Sequence, residues 1–246
     1  VWGAFSESAQ GVTPPPGTFN EAWGLALGPD GSVYVCDLWH HRIQKFDPSG
    51  QFLLEWGSFG ADGDPMHLFG PRDVVAAGSG WVIVSDTGNK RLVVYDASGK
   101  YVSQAGGPGS GPGQLDEPVG LALDDQGGLW VADQNNHRVQ RFALGADGSL
   151  TWKAAWPVDA WQRVTGELKP YLCYARGHLF VTDPESSRTL EFTTDGRLVQ
   201  TYDLNATLYL NASIVTGIAA DPGGTLWVSS AGPGVGTLVK ITPGGS

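Results

Sequence analysis

Four times in this chain an apolar run ends in aspartate, and an arginine follows five residues later. The copies are VYVCDLWHHRIQKF (33–46), VIVSDTGNKRLVVY (82–95), LWVADQNNHRVQRF (129–142) and LFVTDPESSRTLEF (179–192). They carry the pairs Asp37 and Arg42, Asp86 and Arg91, Asp133 and Arg138, and Asp183 and Arg188. A fifth copy, LWVSSAGPGVGTLVKI (226–241), keeps the apolar runs but has Ser230 for the acid and no arginine. Recurrence at a fixed interval means that one supersecondary unit is stacked on copies of itself, because a single unit cannot bury its own apolar face.

Each copy is preceded by another short apolar segment (GLALG, DVVAA, GLALD, YLCYA, GIAAD) and joined to it by a Gly-rich link such as GPDGS or DDQGG. Such links supply the positive φ that tight hairpins require. A second turn (DPSGQ, DASGK, TTDGR) leads into a fourth apolar segment, for example FLLEWG at 52–57. The unit is four short strands with a period of about 46 to 51 residues, and no segment keeps a helical 3.6 period. Four-stranded repeats of this length predict an all-β β-propeller of antiparallel blades. The blades are expected at about 24–57, 73–106, 120–156, 171–203 and 217–241, within a single domain over 1–246. VWGAF at the start resembles EWGSF (55–59), which predicts that Val1–Phe5 adds the fourth strand of the last blade.

The pattern PDGSVYVCD…HRIQKFDPSGQFL resembles the NHL repeat, most closely in the first three copies. The resemblance implies a propeller that binds a protein, peptide or glycan through channel-face loops, without catalysis, cofactor or metal. It also implies two enzymatic alternatives, since similar propellers include metal-dependent lyases and lactonases. The lyase resemblance would fall on His41, with His137 in register and His67 as a third ligand, whereas His178 sits in a turn at the opposite end. A lactonase would draw on Glu21, Asp73 and Asn135. Similar bacterial domains belong to larger envelope proteins, which implies an extracytoplasmic, monomeric domain.

Charge narrows the partners. The net charge is −10, and the 15 basic residues are dispersed. Nucleic acid and anionic membrane surfaces, which require clustered cations, are therefore not expected. No apolar stretch approaches the roughly 20 residues that span a bilayer. Cys36 and Cys173 lie within apolar runs and read as small buried hydrophobes.

The repeat also separates scaffold from site. Because they recur, the four Asp–Arg pairs are assigned to structure, as is His41, whose register holds His137, Lys90 and Ser187. Trp39 and His40 have no counterparts: the matching positions read Gly88 and Asn89, Asn135 and Asn136, Glu185 and Ser186. Residues that vary between copies are free to meet a ligand. The expected binding set is Trp23, Trp39, His40, Arg72, Asn135, Trp161 and Tyr171. Trp130 and Trp227 are expected in the core between blades, and Trp2, Trp56 and Trp156 in packing at strand ends. The sequons at Asn205 and Asn211 matter only in a secreted eukaryotic chain.

Overall fold

The computed structural model describes residues 3–7, 13–163, 168–204, 214–232 and 235–243. The sequons and most of the 203–216 loop lie outside the described residues. Helix within them is confined to short turns such as the 3-10 segments Gln134–Asn136 and Asp159–Arg163.

The chain runs through β1 (Ala4–Phe5), β2 (Thr18–Phe19), β3 (Ala22–Leu27), β4 (Val33–Asp37), β5 (Arg42–Phe46) and β6 (Phe52–Trp56). It continues with β7 (Ser58–Phe59), β8 (His67–Leu68), β9 (Pro71–Ala76), β10 (Val82–Asp86), β11 (Arg91–Tyr95) and β12 (Tyr101–Gly106). Then come β13 (Pro118–Leu123), β14 (Gly128–Asp133), β15 (Arg138–Leu144), β16 (Leu150–Pro157), β17 (Leu172–Ala175) and β18 (His178–Asp183). The last are β19 (Arg188–Thr193), β20 (Leu198–Asp203), β21 (Ile214–Ala220), β22 (Leu226–Gly232) and β23 (Val235–Ile241). Consecutive strands form meander sheets: β3 to β6, β9 to β12, β13 to β16, β17 to β20 and β21 to β23. The fold is all-β, of the β-propeller type, with these sheets as its blades.

By packing, the chain divides into two compact units. The first is Val1–Pro118 with Phe142–Trp152, and the second is Val119–Arg141 with Lys153–Ser246. In the first, Ala26, Tyr34, Cys36, Ile43 and Trp56 pack with Val74, Val82, Val84, Val93 and Tyr95. In the second, Trp130, Val139 and Trp156 join Leu172, Leu179, Val181, Leu190 and Phe192, while Cys173 and Phe180 meet Leu226. Each buried Val, Leu, Ile or Phe among them contributes roughly 1.5–3 kcal/mol. Strands β4, β5, β10, β11 and β14 are buried along their whole length, covered on both faces, whereas outer strand β20 is largely exposed.

The turns follow the sequence chemistry. Asp47 Oδ1 accepts from the Ser49 N–H, the Ser49 hydroxyl and the Gln51 N–H, and Asp96 repeats this with Ser98 and Lys100. These are side-chain-built turns, which is why D-x-S-G recurs between strands three and four.

Two expectations require correction. Ala4–Phe5 does not extend the last blade; it pairs in parallel with Thr18–Phe19, and β21 to β23 form a three-stranded sheet among the described residues. The likeness of VWGAF to EWGSF is real but shifted in meaning. Gly3 (φ +95) matches Gly57 (φ +98), which turns the chain out of β6 into β7, and β7 pairs in parallel with β8. Phe5 therefore matches Phe59, beyond a strand end, while Val1 and Trp2 lie outside the described residues. Trp227 is also not core. It is 37% exposed, where Tyr34, Ile83, Trp130 and Phe180 in the same register are 2% exposed or less, because the face it shares with Leu238 is uncovered.

Candidate functional site

In the first two blades the Asp–Arg pair is a clasp on the loop that precedes the blade. Asp37, fully buried, accepts from Arg42 Nε (2.9 Å), His40 Nδ1 (2.8 Å) and Gln44 Nε2 (3.1 Å) on one oxygen, and from the Asn20 N–H (2.8 Å) on the other. Arg42 donates onward to the carbonyls of Pro14, Pro15 and Thr18 and to the Glu55 carboxylate. In the second blade, Asp86 accepts from Arg91, Asn89 and the Phe69 N–H. Arg91 reaches the carbonyls of Gly63, Asp64 and His67 and the Gln104 amide oxygen. The planar fork of arginine meets several acceptors at once, so one residue satisfies a whole turn of loop carbonyls.

The residue before the arginine closes the hairpin in the left-handed conformation in all four copies: His41 (φ 55), Lys90 (φ 56), His137 (φ 51) and Ser187 (φ 52). The histidine of the first copy serves the backbone with its ring. His41 Nδ1 accepts from the Gly70 N–H at 3.1 Å, which leaves the ring proton on Nε2. Burial, with His40 nearby, lowers its pKa from 6.5, so it is neutral at physiological pH.

His40 does have counterparts. Its side chain is 2% exposed and donates to Asp37 as Asn89 donates to Asp86 and Asn136 to Asp133. It belongs to the clasp, not to an exposed surface.

Trp39, by contrast, is 48% exposed. It stands edge-on to His41 (6.4 Å between centroids), which in turn meets Phe59 (4.9 Å) and Phe69 (6.0 Å). Phe59 and Phe69 contact each other at 5.3 Å and are 62% and 37% exposed. The loop of the first blade and the loop leading to the second thus present three large aromatics around one histidine. Gly88 keeps this arrangement open, since a Cβ there would fall 2.5 Å from Phe69 Cγ and 2.7 Å from its carbonyl oxygen. Sequence reasoning did not single out Phe59 and Phe69. The available signal was two phenylalanines, each beside glycine, in a Gly- and Asp-rich loop (GSFGADGDPMHLFGPR).

Trp23 and Arg72 come together: the guanidinium lies 4.7 Å from the indole ring centroid, and the indole N–H donates to Glu21 at 3.0 Å. Arg72 is 8% exposed, so its cation is largely covered. The remaining expected residues belong to the second unit. Asn135 is exposed in the Gln134–Asn136 turn. Tyr171 is 8% exposed, its N–H bonded to Thr182 Oγ1. Trp161 is completely buried, its indole N–H donating to the Thr182 carbonyl, which makes it a core residue.

Among the described residues, no three His, Cys, Asp or Glu side chains come together as a metal site would need. The described residues therefore do not gather the ligand set that the lyase resemblance implies. Burial raises the pKa of both cysteines well above the ordinary thiol range, so neither is an available thiolate. No helix among the described residues is long and apolar enough to cross a membrane.

The NHL repeat family model matches residues 19–46 and 115–142. Peptidylglycine alpha-amidating monooxygenase of Rattus norvegicus is 40% identical over 131 residues, covering 48% of this chain and 13% of the rat protein. A probable peptidyl-alpha-hydroxyglycine alpha-amidating lyase of Caenorhabditis elegans is 31% identical over 151 residues, covering 58% of this chain and 43% of the worm protein. NHL repeat-containing protein 3 of Homo sapiens is 24% identical over 205 residues, covering 79% and 50%. The chain thus spans half or less of each of these relatives. In structure it is similar to virginiamycin B lyase of Staphylococcus aureus, with TM-score 0.60 at 16% identity over 90% of this chain and 71% of the lyase. That similarity concerns the fold alone. With the NHL repeat matched at residues 19–46 and 115–142, the chain carries NHL repeats within its β-propeller fold.

Proposed function

We propose that this chain is a recognition module that binds an apolar or aromatic side chain of a protein or peptide on the Trp39–Phe59–Phe69 surface. One observation carries the reading: three large aromatics remain exposed on loops whose backbone is otherwise pinned by the buried clasp. Rigid aromatics cost little entropy on binding and dominate the energetics of interfaces. His41 adds an N–H donor on Nε2 at the centre of the cluster. A glycan, which stacks on flat rings, is the alternative ligand. The acidic chain and its dispersed cations argue against nucleic acid.

A second reading follows from the relatives named as amidating enzymes. It would require His41 as a metal ligand, but His41 Nδ1 is occupied by the Gly70 N–H and its ring packs among aromatics.

The test is an array of N-acetylated heptapeptides probed with wild type and with Trp39→Ala. Wild type is expected to retain peptides rich in Phe, Leu or Trp, and the variant to lose about tenfold in affinity, ~1.4 kcal/mol. Identical retention by both proteins, or retention by neither, overturns the assignment. Stoichiometric zinc bound through His41 would favour the enzymatic reading.

A further inference from the structure

We propose that a cleft beside Arg188, in the second compact unit, binds the carboxylate of a peptide-like ligand. The cleft measures about 750 Å³ and is lined by Arg188, Thr201, Gln162 and Asp159 together with Leu190 and Phe192. The argument comes from the molecule's other clasps. Thirteen residues after the arginine, the first blade supplies Glu55, whose Oε2 accepts from Arg42 Nη1 at 2.8 Å. The second blade supplies Gln104, whose Oε1 accepts from Arg91 Nη1 at 3.1 Å. The matching residue of the fourth blade is Thr201, too short to reach.

Among the described residues Arg188 meets no loop carbonyl either, and the position 24 residues before it lies outside them. Arg42 and Arg91 each bond carbonyls 28 and 27 residues earlier in the chain. At those distances from Arg188 stand Ala160 and Trp161, folded into the 3-10 turn Asp159–Arg163. Arg188 bonds Asp183 Oδ2 through Nε (3.1 Å) and Nη2 (2.6 Å), and its Nη1 has no acceptor among the described residues. Its side chain is 37% exposed, against 3% for Arg42 and 8% for Arg91. Asp183 Oδ1, buried, likewise has no partner, whereas Asp37 and Asp86 each take a loop amide.

At this position Arg42 is completed by a carboxylate and Arg91 by an amide oxygen, and a cation with Nη1 unmet beside an open cleft favours the charged acceptor of the two. Leu190 and Phe192 line the same cleft for an apolar neighbour. Asp159 in the same lining disfavours a dianion. The site is independent of the Trp39 surface.

The test follows the Arg188 Nε–H resonance by NMR during titration with N-acetyl-leucine, N-acetyl-leucine amide and N-acetyl-glutamate α-amide. A C-terminal carboxylate as the natural group predicts that N-acetyl-leucine shifts the resonance saturably at millimolar concentration while its amide binds at least tenfold more weakly. If N-acetyl-glutamate α-amide alone saturates, the site still holds and takes a side-chain carboxylate. Thr201→Glu, which rebuilds the Glu55 arrangement within the chain, is expected to raise Tm and weaken the probe at least tenfold. Thr201→Gln, the Gln104 arrangement, is the second variant should the first fail to fold. Equal shifts by N-acetyl-leucine and its amide, or undiminished probe binding by the folded Thr201 variant, overturn the proposal.

Discussion

The first and fourth blades carry the same aspartate–arginine pair and use it differently. In the first, Arg42 meets one aspartate, one glutamate and three loop carbonyls, and its side chain is sealed from water. In the fourth, Arg188 meets Asp183 and opens on a cleft. A repeated pair is therefore not one fixed structural element. What surrounds it decides whether it locks a loop or keeps donors available. Trp39 carries the same lesson from the other side: the clasp beneath it is saturated, and only what projects beyond the clasp can serve a partner.

The largest expected effect of breaking this contrast is at Asp37. Removing the buried Asp37 carboxylate leaves Arg42 Nε, His40, Gln44 and the Asn20 N–H without their acceptor, so Asp37→Ala should cost about 3–5 kcal/mol in urea unfolding. Gly88→Ala comes next, at roughly 1–3 kcal/mol, because the new methyl meets the Phe69 ring and carbonyl. Displacement of Phe69 should be visible as a changed aromatic NMR spectrum.

Acid is expected to act through His41. Its pKa is lowered in the fold, so the unfolded chain binds the proton more readily. Its contribution is full above the unfolded value of about 6.5 and is lost as pH falls toward the lowered folded value. His67, paired with Asp62 at the surface, has a raised pKa and acts in the opposite sense. Melting curves from about pH 7.5 to 5 should therefore fall more steeply for wild type than for His41→Asn, a residue that tolerates the left-handed backbone. Parallel curves would remove His41 from the account. The smallest effect on folding is expected at Trp39→Ala, within about 1 kcal/mol, since half of that side chain is already in water.

Much of the fold was legible because strand period, turn residues and the Asp–Arg spacing all repeat. The clasp was less so. His40 and asparagine look unrelated as letters, yet three residues after the aspartate each places an N–H on it. Trp161 looked like a loop aromatic because nothing in the sequence marks the 3-10 turn that carries it into the core. The aromatic surface was half legible: Trp39 stood out by lacking a counterpart, whereas Phe59 and Phe69 join it only through tertiary contact. The place of Ala4–Phe5 was misread because the likeness to EWGSF runs past the end of β6 into β7, while Val1 and Trp2 lie outside the described residues.

The contrast between the blades is tested most directly by the unfolding free energies of Arg42→Lys and Arg188→Lys in urea, measured side by side, since lysine keeps a cation on the buried aspartate and removes the fork. The account predicts that the first loses about 2 kcal/mol or more, because the Pro14, Pro15 and Thr18 carbonyls lose their donor. The second should lose about 1 kcal/mol or less, because Arg188 bonds Asp183 alone among the described residues and an ammonium still meets it. Equal losses would contradict the account, because Arg188 would then hold its blade as tightly as Arg42 and have nothing left to offer a ligand.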